Sequence, residues 1–345
     1  TYGIVNFTGT AHTITGNNTF AQLNISAATT VTLGSTTQTC GTWSCLKAPA
    51  VNTATINVTG TFAGGGFATY NTVNLTGATA TISGANTIAT FNLGSAVIAC
   101  TSWANTVTNL TAGTSTLNCA GDFTGGGKTF YIVNLTGATS TVSGANTFTT
   151  FNLGVAVIAC VQWDITTTTL TAGTSIINCS QNFSGNNKVY NIVNLTGATS
   201  TITGNNTFAQ LNLVSSTTQT ITFTDGSTQT AASFSLSGDA THTHTLRGSG
   251  AAGWNITYTG ATYVSATYVS ISRSNALPAV NMFYAGATPP SVNGGNNTGW
   301  NFYAPDAPTV TVQAASNIHA EDATGNGTVT NLGAGNLNTL ANGFD

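Results

Sequence analysis

The feature that most constrains the fold is a long segment that occurs three times almost unchanged. NLTGATATISGANTIATFNLGSAVIAC begins at Asn74, NLTGATSTVSGANTFTTFNLGVAVIAC at Asn134 and NLTGATSTITGNNTFAQLNL at Asn194, a constant offset of 60. Repeats of this kind are typical of arrays, in which each unit buries its apolar face by stacking on its neighbours. We therefore expect a chain of stacked units.

A shorter spacing appears inside each repeat. The dipeptide Asn-Leu recurs at Asn74, Asn92 and Asn109, and it opens the next repeat at Asn134, in steps of 18, 17 and 25. Between these points β-prone segments such as AVIAC alternate with glycine turns such as SGAN, and no segment has a helical period. The pattern predicts an all-β fold, a parallel β-helix (β-solenoid) with three coils of about 17–25 residues per repeat.

Stacked coils would bring the asparagines of the Asn-Leu dipeptides into a ladder of side-chain amides. The adjacent leucines would face the other side of the sheet, and either column can be the inner one. The predicted ladder comprises Asn74, Asn92, Asn109, Asn134, Asn152, Asn194 and Asn212.

The longest coil of each repeat contains a glycine-rich segment, at 63–67, 124–130 and 184–190. If equivalent segments stack, they form a row of loops along one edge of the solenoid, about 14 Å apart. This row, with Lys128 and Lys188, is either a binding or lateral-contact edge or a set of solvated turns.

Four of the six cysteines fall where adjacent coils should meet. Cys100 and Cys119 follow Leu93 and Leu110 by seven and nine residues, and Cys160 and Cys179 repeat the relation. Strand spacing of about 4.8 Å lies within the Cα separation of a disulfide. We predict structural disulfides Cys100–Cys119 and Cys160–Cys179.

The remaining cysteines are Cys40 and Cys45. Val58 occupies the position equivalent to Cys119, so Cys45 is the candidate partner of Cys40. Pairing of all six cysteines implies an oxidising, extracytoplasmic location, whereas the alternative of a zinc site lacks paired C-x-x-C spacing. The tryptophans three residues after Cys40, Cys100 and Cys160 either pack the core or form a sugar-stacking line; they are Trp43, Trp103 and Trp163.

The composition of the chain argues against nucleic-acid binding and against insertion into a membrane. With 5 Lys+Arg and 8 Asp+Glu, the net charge is −3 and no basic surface for nucleic acid is expected. The apolar runs are too short to span a bilayer, so no membrane insertion is expected. The chain begins at Thr1 without Met, which indicates a removed secretion signal or a fragment, and we expect an extracellular or cell-surface location.

The repeat divides the chain into three segments: a regular array at 1–213, irregular coils that close it at 214–303, and a linker with further strands at 304–345. The second segment, with YVSIS followed by GGNNTGWNF at 294–302, resembles the end of secreted β-helical repeat proteins. The stretch at 308–336 resembles the opening strands of immunoglobulin-like or fibronectin-like modules of large secreted bacterial surface proteins. A complete module needs about 90–100 residues, so these strands would belong to a fragment or complete a sheet in another subunit.

Carboxylates are too scattered to indicate glycosidase chemistry. Asp122 and Asp164 are not repeated in neighbouring units, and Asp225 with Asp239 is the one pair worth testing, with turn roles as the alternative. His242 and His244 would share a strand face and are weak candidates for a metal ligated together with a symmetry mate.

We predict no catalytic residue, no cofactor and no enzyme activity. Among the N-x-[ST] sequons, those expected in turns are the better glycan acceptors; they are Asn17, Asn182 and Asn205.

The sequence as a whole favours a structural extracellular protein, a subunit of a cell-surface fibre or adhesin. Its main partner would be itself, through coil ends and exchange of C-terminal strands, with surface glycans as a further partner. The alternatives are a viral tail fibre or tailspike and a β-helix that binds or cleaves polysaccharide.

Overall fold

The structure, a computed structural model, describes residues 1–26, 30–45, 53–64, 69–213, 216–279, 283–285, 291–302, 309–317 and 324–331. These residues form an all-β fold without helices, a parallel β-solenoid of about 14 turns, which confirms the predicted fold class. None of them belongs to a helix that could cross a membrane. The chain divides into two compact units, Thr1–Ala209 and Gln210–Asp345.

The strands of the first unit are short. They are β1 (Tyr2–Phe7), β2 (Ala11–Thr13), β3 (Asn18–Ile25), β4 (Thr30–Thr32), β5 (Thr37–Cys45), β6 (Thr55–Ala63), β7 (Thr69–Leu75), β8 (Thr79–Ser83), β9 (Thr87–Asn92), β10 (Val97–Cys100), β11 (Thr106–Thr111), β12 (Thr116–Cys119), β13 (Phe123–Thr124), β14 (Thr129–Leu135), β15 (Thr139–Ser143), β16 (Thr147–Asn152), β17 (Val157–Cys160), β18 (Trp163–Asp164), β19 (Thr166–Thr171), β20 (Ile176–Cys179), β21 (Phe183–Ser184), β22 (Val189–Leu195) and β23 (Thr199–Thr203).

The division between the units falls inside β24 (Asn206–Leu213). The second unit continues with β25 (Thr220–Phe223), β26 (Thr228–Ser235), β27 (His244–Gly248), β28 (Trp254–Tyr258), β29 (Val264–Ser265), β30 (Val269–Ser272), β31 (Ser274–Leu277), β32 (Phe283–Tyr284), β33 (Val292–Asn293), β34 (Trp300–Asn301), β35 (Thr309–Ser316) and β36 (Thr324–Asn331).

Parallel pairing between successive coils builds three main sheets in the first unit. One runs from β1 through β3, β5, β6, β8, β10, β12, β14 and β16 to β19, with β7, β9 and β11 branching from β6. A second contains β13, β15, β17, β20 and β22, and a third contains β18, β21 and β23. Inward positions are apolar and outward positions polar, since successive side chains of a strand point to opposite faces.

The register shows that one repeat is longer than three coils. Val97 pairs with Thr79, Thr116 with Val97, and Ile132 with Thr116, so three coil steps lead from Thr79 to Ile132 and fall seven residues short of a full repeat. Ile132 occupies the same position in its repeat as Thr72 does in the preceding repeat. In the stack of coils, however, Ile132 lies in line with Thr79 and not with Thr72. Each repeat therefore makes about three and one-third coils, and the next repeat starts one sheet further round.

The equivalent tryptophans make this rotation visible. Trp43 lies in β5 of the first sheet, Trp103 bridges to Phe123 of the second sheet, and Trp163 lies in β18 of the third. The prediction of three whole coils per repeat was therefore wrong. It treated the glycine-rich segment as an insertion in a long coil, whereas that segment contains β13 or β21 and a corner of the next coil.

Glycine is required where corners of adjacent coils touch. A Cβ on Gly137 would overlap the backbone carbonyl oxygen of Ala120 in the coil below, and one on Gly197 would overlap that of Ser180. The glycine of the TGA motif is therefore required by the close backbone contact between adjacent coils.

The second unit keeps the parallel pairing over β25, β27, β30 and β33, and over β26, β28 and β31. Near the C-terminus β35 and β36 form an antiparallel pair instead. These strands belong to the stretch that resembles an immunoglobulin-like module, and among the described residues they pair with each other. The linker at 303–308 lies outside the described residues.

Candidate functional site

The outer surface carries ladders of asparagine amides, three coils long. The Nδ2 of Asn74 donates to Oδ1 of Asn57 at 2.8 Å, and Asn92 donates to Asn74 at 2.7 Å. In the next repeat, Asn134 donates to Asn118 at 2.7 Å and Asn152 to Asn134 at 2.6 Å. The asparagines are half-buried and their apolar neighbours are buried, so the amide column is the outer one.

Of the other predicted members, Asn194 belongs to the equivalent ladder of the third repeat, whereas Asn109 does not belong to a ladder of asparagines. Asn109 pairs with Thr90, and Asn92 pairs with Thr111, so the inclusion of Asn109 in the ladder was wrong. The Asn-Leu dipeptide at 109 is shifted by two residues against the coil below. Asn194 donates to Asn178 at 2.7 Å, and Asn212 accepts from the side chain of Gln210 at 2.9 Å.

A second set of asparagines lies inside the corners, and sequence reasoning missed its role. Asn86, Asn146 and Asn206 end the SGAN and TGNN motifs and are buried. The side chain of Asn146 donates to the carbonyl oxygens of Ser143 and Gly144, and its Oδ1 accepts the Gly127 N–H at 3.0 Å. The recurrence of these asparagines at the repeat period was the available signal.

The glycine-rich segments do not form a row along one edge. Thr147 N donates to Lys128 O and Thr207 N donates to Lys188 O, so both corners lie directly against the next coil. Each lysine ammonium also donates to a backbone carbonyl of the coil below, of Thr108 or Thr168, at 2.9 Å. The rotation by one-third of a turn places equivalent corners on different edges. The segment at 63–67 lies partly outside the described residues.

Aromatic rings fill the core of the first unit. Trp103 stacks between Phe91 and Phe123 with centroids 6.0 and 6.5 Å away, and Trp163 stacks between Phe151 and Phe183. Since Trp43, Trp103 and Trp163 are at most 1% exposed, they cannot form a sugar-stacking line.

Two tyrosines hold a polar link within this core. The Tyr190 hydroxyl accepts the Trp163 Nε1–H at 3.1 Å and donates to Gly185 O at 2.9 Å. Tyr70 makes the same link between Trp43 and Gly64. Burial raises the pKa of both hydroxyls well above its usual range, so both tyrosines stay neutral donors.

The cysteine pairs of the second and third repeats lie where the sequence places them. Cys100 pairs in register with Cys119, and Cys160 with Cys179, all as buried thiols. The hydrogen bond between the thiols lowers the pKa of Cys119 and raises that of Cys100, so the two titrate as a pair. The proximity that a disulfide requires is present, and the disulfides themselves stay a prediction.

Cys40 and Cys45 are placed differently. Both lie on β5, whose register against β6 shifts between Cys40 and Thr42, so the two cysteines lie on either side of a bend in the strand. Cys40 pairs across with Phe20 and Val58, and burial raises the pKa of its thiol to about 12. The Cys40–Cys45 bridge stays a prediction.

The two histidines of the second unit are separated by burial. His242 is partly exposed and its Nδ1 lies 2.9 Å from Asp239, whereas His244 is buried and its Nδ1 accepts the Gln219 N–H at 3.2 Å. His242 precedes β27, which begins at His244, so only His244 belongs to the strand that the sequence predicted for both. In the part of the chain that the structure describes, no three His, Cys, Asp or Glu side chains converge as metal ligands.

Three of the acidic side chains hold turns in place. Asp225 accepts the N–H groups of Gly253 and Ala252, and Asp239 accepts those of Thr241 and His242. Asp122 accepts the Thr141 N–H at 2.7 Å, which is the role that Asn182 has in the following repeat. The fourth candidate carboxylate, Asp164, is exposed at the end of β18.

Comparison of the chain with known protein families, curated proteins and solved structures finds no match. The sequon residues Asn17, Asn182 and Asn205 are all exposed, as their predicted turn positions suggested, and their glycosylation stays a prediction.

Proposed function

We propose that this chain is a structural extracellular protein, the subunit of a cell-surface fibre or adhesin. The observation that carries the proposal is the rotation of the repeat, which distributes the same uncharged amide and hydroxyl side chains over all three sheets of the first unit. A surface of this kind permits close lateral contact without charge repulsion, because only 4% of the residues are charged.

The antiparallel pair of β35 and β36 supports self-assembly. A two-stranded hairpin is only marginally stable in water, and additional strands or a packed surface stabilise it. Strand addition from a second copy would supply both, and it would extend the assembly from one subunit to the next.

Electron microscopy of the purified full chain, at increasing concentration, tests this proposal. We expect filaments, and we expect Val312→Pro to abolish them, because proline removes a backbone N–H within β35. The matched control Val312→Ala keeps that N–H and should assemble normally.

Three outcomes would contradict the fibre. Discrete three-fold particles would favour a viral tail fibre, and release of reducing ends from glycans would favour an enzyme. A monomer at every concentration would exclude self-assembly.

A further inference from the structure

The second unit carries a polar depression on the outer side of four successive coils. Arg247 pairs in register with Thr222 of the coil below and with Ser272 of the coil above. The neighbouring strand residues Leu246 and Ile271 point inward and are fully buried, so this column points to solvent. The depression has a volume of about 550 Å³, which is within the usual range for small-ligand sites.

Both arginines of the chain line this depression. Arg247 and Arg273 carry the only guanidinium groups in the sequence, and hydroxyl and amide side chains complete the wall, from Thr222, Ser249, Ser272 and Asn296. In a chain with so few cations, this placement concentrates positive charge at one point.

Neighbouring groups hold the guanidinium groups without neutralising them. Arg247 Nε donates to Thr222 Oγ1 at 3.2 Å, and Arg273 Nη1 donates to Gly250 O at 3.2 Å. The one ion pair within 4 Å in the described part of the chain joins His242 and Asp239. Asp225 lies against Gly250, but its carboxylate is held by the amides of Gly253 and Ala252.

The backbone around the depression is held in an unfavourable conformation. Arg273 has a φ of 55° and Asn296 a φ of 57°, in the left-handed region. Arginine is strained at such a position, where glycine is free, and strained residues cluster at ligand-binding sites. At Arg273 the strained position aims a guanidinium group into the depression.

We propose that this depression binds an acidic polysaccharide through the carboxylate or sulfate groups of its sugars. The guanidinium fork matches a planar carboxylate or a sulfate with two parallel hydrogen bonds, and hydroxyl and amide side chains suit the sugar hydroxyls. The site goes beyond the proposed structural role and exists whether or not the chain forms fibres.

Calorimetric titration of the full chain with a defined oligogalacturonate and a sulfated oligosaccharide tests the site. We expect at least one to bind, with affinity falling as salt is raised. Arg247→Gln and Arg273→Gln should each weaken binding about ten-fold or more, because each removes charge-assisted hydrogen bonds. Arg247→Lys keeps the charge but loses the fork, and it should bind with intermediate affinity.

The matched control is Lys128→Gln, which removes a cation from the first unit and should leave binding unchanged. Far-ultraviolet circular dichroism confirms that each variant folds. Several results would overturn the site: neither acidic oligosaccharide binds, a neutral oligosaccharide of the same length binds equally, free sulfate or citrate competes fully at equal concentration, or both glutamine variants bind as well as the parent chain.

Discussion

The buried tyrosine link makes a quantitative prediction. In Tyr190→Phe, the aromatic ring stays and the hydroxyl that joins Trp163 Nε1 to Gly185 O is lost. The buried Trp163 Nε1–H is then left unpaired, whereas Gly185 O keeps the Lys188 N–H at 3.1 Å, so we expect a loss of about 1–3 kcal/mol. The reverse change can be made in the middle repeat, where Phe130 occupies the equivalent position.

The two sites are matched in geometry. Phe130 meets Trp103 edge-on with centroids 5.6 Å apart and an interplanar angle of 87°, and Tyr190 meets Trp163 at 6.1 Å and 80°. A hydroxyl added in Phe130→Tyr would therefore approach the Trp103 indole N–H, and we expect a gain of about 1 kcal/mol.

Native-state hydrogen exchange measures both effects locally, which suits an array whose units open separately. The amides of β22 should exchange about five-fold faster or more in Tyr190→Phe, since about 1.4 kcal/mol corresponds to a factor of ten. Tyr2→Phe removes the same atom from an exposed ring and serves as the control. The reasoning fails if exchange in Tyr190→Phe stays within two-fold of the parent chain, or if the control changes β22 equally.

Three further predictions concern the corners, the buried histidine and the cysteines. Gly137→Ala should destabilise its coil by about 2 kcal/mol or more, because the Cβ would overlap the Ala120 carbonyl oxygen; unchanged denaturant unfolding would contradict this. Burial lowers the pKa of His244, so the unfolded chain takes up its proton first; stability should be full above about pH 6.5 and fall below it, and His244→Gln should flatten that part of the melting-temperature profile. Peptide mapping of air-oxidised protein without reductant should link Cys100 to Cys119, and recovery of both as free thiols would refute the disulfide.

The sequence was sufficient for the fold class because the relevant signals are local. Alternating strand patterns and glycine turns recur in every coil, and each depends on a few neighbouring residues. The register of Cys100 with Cys119 could be predicted in the same way, because the two follow equivalent turns.

The number of coils per repeat could not be obtained by counting dipeptides. A short strand and a corner look alike in sequence, and the segment around Phe123 contains both within six residues. Nor does the motif show that the Asn of SGAN is buried, because an asparagine is satisfied equally by water or by the carbonyl of a turn. The arginine depression depends on strands of different coils, those of Thr222 and Arg247, and the two are related only by the fold.

The fractional number of coils per repeat has a consequence for how such a chain evolves. Duplication of one repeat lengthens the first unit by about 16 Å at 4.8 Å per coil and turns the inserted side chains by about 120°. Only a gain of three repeats, which together make ten whole coils, returns the side chains that follow to their original direction. The copy number of the repeat therefore sets the angular position of every side chain that follows it within the array, so that two relatives differing by one copy would display the same residues in different directions.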